Sequence, residues 1–173
     1  MSCPINKLYN DFESLKNYLL KNKELDYLNI VEKQFTKNLI ISSASFLESK
    51  MQEVLINFIE STSNHSLIIN FLKNKAISRQ YHTYFDWNSK NANNFLGLFG
   101  TDFKDKIKVR IKEENIDEYI KSFLELGRIR NELIHQNFIL YTTDKTIKEI
   151  IELFNSSLKF LNFFEKELKK GTK

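Results

Sequence analysis

The stretch RNELIHQNF, residues 130–138, sets Arg130 ahead of His135 with four residues between them, in a chain that has only three histidines. An imidazole titrates near neutrality and can give or take a proton, while a guanidinium holds an anion through fixed parallel hydrogen bonds. Side by side they could do acid–base chemistry on an anionic substrate. The competing reading is structural, since a lone histidine on a helix more often serves packing than catalysis. The other candidate ligands, Cys3, His65 and His82, have no metal-binding spacing with His135, so neither a metal nor another cofactor is expected.

Winding residues 117–135 as an α-helix places Tyr119, Phe123, Leu126, Leu133 and Ile134 on one side, and Arg130 falls within that apolar stripe. An unpartnered buried guanidinium costs several kcal/mol, on the order of the penalty for any desolvated charge, so Arg130 calls for an anion or a function. Glu48 raises the complementary question. In ASFLESKMQEVL it shares a helical stripe with Ile41, Ala44, Met51, Leu55 and Phe58. A Glu48–Arg130 ion pair could fix how two helices pack, and it could equally orient an active-site arginine. Arg128 lies on the polar side, near Lys121 and Glu132. His135 stands where its helix should end, at the negative end of the helix dipole, which favours the protonated imidazole.

The elements that must carry these residues read as helices throughout. Four glycines and a single proline, Pro4, leave the rest of the chain almost without breakers. Apolar residues at three- and four-residue steps predict helices over 5–22, over 24–61 as one long helix or two with a bend at Ser42-Ser43, and over 66–79. The segment from Tyr81 changes texture and predicts a loop, a short helix around 91–99, a glycine stop, and a helix near 102–112. Helices at about 116–135 and 144–169 complete an all-α fold. We expect one domain over 1–173, with no internal repeat or dividing linker.

Composition narrows the function classes. The 42% hydrophobic content and 15 phenylalanines argue against disorder. No signal-type or membrane-spanning run occurs and the lone cysteine cannot form an internal disulfide, so a cytoplasmic protein with no membrane partner is expected. A net charge of +4 is compatible with a polyanionic partner, but the lysines are scattered among glutamates.

The run Arg130-Asn131-x-x-x-His135 resembles the R-x(4–6)-H motif, with a polar residue after the arginine, of the HEPN superfamily of helical ribonucleases and RNA-binding domains. SASFLESKMQEVL at 43–55 and DWNSKNANNFLGLFG at 86–100 resemble parts of its RiboL-PSP-HEPN and MAE-type branches, which occur in prokaryotic defence and toxin–antitoxin loci. The resemblance covers about residues 25–165. It implies a HEPN-like helical bundle with additional short helices, acting as an endoribonuclease on tRNA or mRNA without a metal and leaving 2′,3′-cyclic phosphate and 5′-hydroxyl ends. It also implies a homodimer that brings two motifs together, and an antitoxin or other regulatory protein as a further partner. On this reading Arg130 and His135 are catalytic. Asn131, Glu48 and Arg128 support them: Asn131 orients the histidine or a phosphate oxygen, and Arg128 adds a phosphate contact. A non-catalytic module that binds RNA or protein is the rival. Arg128 also stands in register for the longer form of the motif, and the Arg-Asn dipeptide favours Arg130.

Trp87 and the FLGLFG run could stack bases, although Phe95, Leu98 and Phe99 at helical spacing suit a core. His82 could contact substrate, but the sequence does not locate it. The terminal EKELKKGTK reads as a solvated, frayed helix end.

Overall fold

In the computed structural model, residues 3–171 are described, and among them the chain forms eight α-helices and no strand. Helix α1 spans Pro4–Lys21, α2 Leu25–Thr62, α3 Ser66–Phe71, α4 Tyr81–Tyr84, α5 Asn93–Gly97, α6 Thr101–Glu113, α7 Asp117–His135 and α8 Ile147–Gly171. A π-helical turn, Leu72–Ile77, continues α3. The all-α expectation holds.

The central element is α2, whose 38 residues run without interruption through Ser42-Ser43. No bend forms there because Ser43 is fully buried and neighbours Leu39, Ile40, Ala44 and Leu47 in one wide packed face. Helices α1, α7 and α8 pack on α2, and the most extensive packing is between α7 and α8. Burying one Leu, Ile or Phe side chain contributes about 1.5–3 kcal/mol, so this shared core is what holds α7 in place. Phe123, Phe154, Phe160 and Phe164 are among its fully buried side chains.

Local chemistry sets the element ends. Pro4 opens α1 where its missing N–H costs nothing. The Thr146 hydroxyl accepts from the Glu149 amide at 3.1 Å while Glu149 accepts the Thr146 amide at 2.8 Å, a reciprocal cap at the start of α8. Asn115, at φ 54°, turns the chain between α6 and α7. Gly100 takes φ 94° just before α6, a backbone state open mainly to glycine, and so places the stop read from the sequence.

Several details depart from the sequence reading. The loop foreseen after Arg79 contains the helical turn α4, held by the Tyr84 hydroxyl donating to the Ala76 carbonyl at 2.5 Å. Leu98 is not core but 64% exposed, while Phe95 is buried as expected. The C-terminal segment is not a frayed end through most of its length: Glu167 and Leu168 are buried, and Lys170 pairs with Glu167 at 2.5 Å. Only Thr172 and Lys173 of that segment lie outside the described residues.

Candidate functional site

Arg130, Asn131 and His135 share the last two turns of α7, and Glu48 faces them from the middle of α2. The Arg130 Nη1 donates to Asn131 Oδ1 at 3.1 Å, and Nη2 stands 4.0 Å from Glu48 Oε2. Neither charge is buried as the helical wheels implied: the Arg130 and Glu48 side chains are 31% and 32% exposed. For Glu48 the reason is that it lies at the edge of the packed face of α2. For Arg130 the reason is that the covered face of α7 opens towards its C-terminus, where Ile134 is 48% exposed. The predicted partners thus meet at the margin of the core, loosely enough for Arg130 to accept another anion.

A small, partly enclosed pocket lies beside this pair, lined by Glu48, Tyr81, Trp87, Gly127, Arg130 and Asn131 among others. His82 also lines it, so the histidine that the sequence could not place stands beside the motif arginine. Burial pushes the Tyr81 phenol above its ordinary range. The Glu48 carboxylate adds to that rise and Arg130 opposes it, so Tyr81 presents a neutral hydroxyl.

A wider, open groove continues past Trp87 and Asn131 to His135. It is lined by Asp86, Asn88, Arg128, Glu132 and Gln136 as well. Asn131 and Trp87 line both spaces, so the Arg130 pocket and the His135 groove are neighbours. His135, the last residue of α7, is exposed there and can meet a ligand from solvent.

Arg128 is occupied. Its Nε and Nη2 donate to the two carboxylate oxygens of Glu125, each at 2.9 Å, and its Nη1 pairs with Glu132. The bonds to Glu125, with the nearby charge of Glu132, raise the guanidinium further above its ordinary range, and the same bidentate bond to Arg128 is the main cause of the lowered Glu125 pKa. Two carboxylates around one cation leave little net positive charge. Of the two arginines in register with His135, Arg130 therefore has the freer head.

Trp87 is positioned by an unusual contact. Gly127 sits within α7, and a β-carbon there would stand 2.0 Å from Trp87 Cζ3 and 2.2 Å from Cε3. Only glycine lets the indole approach the helix backbone this closely. Its Nε1 donates to the His82 carbonyl at 3.0 Å, fixing the ring in plane. The sequence-based expectations drew on the glycines of FLGLFG and gave Gly127 no role. The signal was a glycine inside an otherwise strong helix, where it costs about 1 kcal/mol relative to alanine and so asks for a packing reason.

Past His135 the chain turns back through residues 136–140. Lys37, buried on α2, donates from Nζ to the carbonyls of Phe138 at 2.6 Å and Ile139 at 3.0 Å. Its ammonium also lies 5.2 Å from the centre of the Phe138 ring. This clamp holds the turn while leaving Ile139 and Leu140 80% and 74% exposed. Among the described residues no group of three or more His, Cys, Asp or Glu is placed to hold a metal, and no helix is long and apolar enough to cross a membrane.

A family model for RiboL-PSP-HEPN matches residues 5–170. The chain is a member of the RiboL-PSP-HEPN family, a HEPN-type domain family whose members are generally ribonuclease-like or RNA-binding. No curated protein and no solved structure matches it.

Proposed function

We propose that this chain is a metal-independent endoribonuclease that works as a homodimer, with the Arg130–His135 motifs of two copies facing one RNA strand. The observation that carries the reading is the adjacency of the two spaces, which share Asn131: a partly free guanidinium on one side and an exposed imidazole on the other, along one helix. In the reaction a ribose 2′-hydroxyl attacks the neighbouring phosphorus. The O2′–P bond forms, the P–O5′ bond breaks, and the products carry a 2′,3′-cyclic phosphate and a 5′-hydroxyl. One imidazole takes the 2′-hydroxyl proton and another gives a proton to O5′. The single His135 of each chain supplies one of these roles and the partner's His135 the other, which is why the dimer is part of the proposal.

Arg130 would neutralise the charge that grows on the phosphorane, held in aim by Asn131 and by the loose Glu48 contact. The exposed Ile139 and Leu140, beside the motif and braced by Lys37, are suited to the contact between copies. The whole chain acts as one cytoplasmic domain, with tRNA or mRNA as substrate. Its place is the effector or toxin of a prokaryotic defence or toxin–antitoxin system, restrained by an antitoxin or another regulatory protein.

The second reading is a non-catalytic RNA- or protein-binding module. It draws on the fact that Arg130 already has Asn131 and Glu48 as internal partners, as a packing residue would. Expression in a bacterial host separates the two. The nuclease slows growth and His135→Ala relieves it at equal folded protein, whereas the binding module gives the same growth with either version.

A further inference from the structure

The motif lies at the C-terminal end of α7, but a second groove lies at its other end, with buried Ala92, Leu96, Ile111 and Ile120 beneath a rim of polar side chains. Asn91 and Asn93 line it from the segment before α5, Lys108 and Lys112 from α6, and Asp117 from the first turn of α7. Asp117, Arg128, Asn131 and His135 fall on one face of α7, so this groove and the His135 groove open along the same side of the same helix. Residues 86–93 run between them, with Trp87 and Asn88 in one groove and Asn91 and Asn93 in the other. The outward side chains of that segment, Asp86, Asn88, Lys90 and Asn91, are all polar and exposed.

The cations at the far groove are available. On α6, Arg110 is taken up by Glu113 and Glu114, but among the described residues Lys112 has no carboxylate partner and Lys108 has only Asp105 at 3.8 Å. Lys104, one turn earlier on the same face, likewise has no ion pair among the described residues, its stem passing over Gly97. Asp117 is the one carboxylate in the groove lining, so the lysines outweigh it.

We propose that this groove is a second RNA-binding site, which holds the single strand flanking the bond to be cut by its phosphates on Lys108 and Lys112 and by amide contacts from Asn91 and Asn93. The proposal rests on the ribonuclease reading above. The separation of the grooves fits such a strand. From Ile120 to Asn131 the rise of α7 is about 16 Å, at ~1.5 Å per residue. At a stacked rise of ~3.4 Å per nucleotide this is about five nucleotides, and fewer if the strand is stretched. Amide side chains donate and accept, and so can contact a sugar or a base edge in an unpaired strand.

The test uses fully 2′-O-methylated RNA, which has no free 2′-hydroxyl and is not cut, as labelled probes of about four and about twelve nucleotides, chosen to fill one groove or both. Wild type should bind the long probe at least about tenfold more tightly than the short one. In Lys108→Gln/Lys112→Gln that gain is lost, short-probe binding is unchanged, and the slope of log affinity against log salt falls by about 1.4, or ~0.7 for each phosphate contact removed. Lys108→Arg/Lys112→Arg keeps the gain, which separates charge from folding. Lys21→Gln/Lys23→Gln, with the same charge removed from the end of α1, also keeps it. Undiminished long-probe binding by the Lys108/Lys112 pair, or an equal loss in the Lys21/Lys23 pair, overturns the groove and leaves the ribonuclease reading standing. Failure of wild type to bind either probe overturns both.

Discussion

The Trp87 indole occupies the space that a β-carbon on Gly127 would need, with Cζ3 only 2.0 Å from that position. One turn later on α7 comes Arg130, and Trp87 lines both the Arg130 pocket and the His135 groove. The packing of a glycine against a tryptophan thus shapes the surface on which the motif is presented.

Gly127→Ala tests this contact. On helix propensity alone the change should stabilise α7 by about 1 kcal/mol. The clash should outweigh that gain, giving a net cost of about 1–3 kcal/mol and a fall in Tm of roughly 2–10 °C for a chain of this size. Because Trp87 is the sole tryptophan, its fluorescence reports the displacement directly. A higher Tm with an unchanged emission spectrum would show that the indole does not depend on Gly127.

The two arginines should behave differently. Arg130→Ala removes the freer cation, and cleavage should fall by about 10²–10³, the usual cost of losing a group that stabilises developing charge. Arg128→Ala removes a cation already held by Glu125 and Glu132, so cleavage should fall by less than about tenfold while stability declines. Rates measured on one RNA at matched folded fraction decide the matter. The reverse order would make Arg128 the motif arginine.

The Glu125–Arg128 bridge should give stability a defined pH dependence. The hydrogen bonds from Arg128 hold the folded Glu125 below its ordinary value of 4.5. A depressed folded pKa means that the bridge's contribution is fully present above the unfolded value and is lost as pH falls through the folded one. Urea unfolding should therefore show Glu125→Gln less stable than wild type at pH 7, with the difference closing well below pH 4.5. A constant difference at all pH values would contradict the sign.

Lys37→Met removes the donor that holds the Phe138 and Ile139 carbonyls while keeping most of the side-chain volume. Losing a hydrogen bond from a charged donor costs about 1.5–3 kcal/mol, and the cost should fall locally on the turn after His135. The Leu140 and Tyr141 amides, both bonded to the Asn137 carbonyl, should exchange hydrogen faster while those in the middle of α7 keep their rate. Equal exchange in both proteins would show that the turn holds without Lys37.

Much of this architecture was legible because helices announce themselves through periodicity. The ends of α6, α7 and α8 fall within a few residues of where the apolar steps and the glycine stop put them. The Glu48–Arg130 meeting was also foreseeable, as two charges on two apolar stripes seek each other. Their exposure was not, because a helical wheel carries angle but not depth and cannot show where a covered face runs out. Tyr81 and His82 were missed as companions of Arg130 because their position follows from how residues 78–92 fold back over α7, and no local pattern encodes that return. Gly127 was the readable clue, a glycine in the middle of a helix, and it pointed to Trp87.

The most direct measurement is to incubate wild type and His135→Ala with a tRNA mixture in excess chelator, at equal folded concentration and with the dimer verified, and then to identify the ends of any fragments. Fragments bearing 2′,3′-cyclic phosphates and 5′-hydroxyls are expected from wild type alone. RNA bound but left intact by wild type, or cut equally by both proteins, would contradict the proposed mechanism.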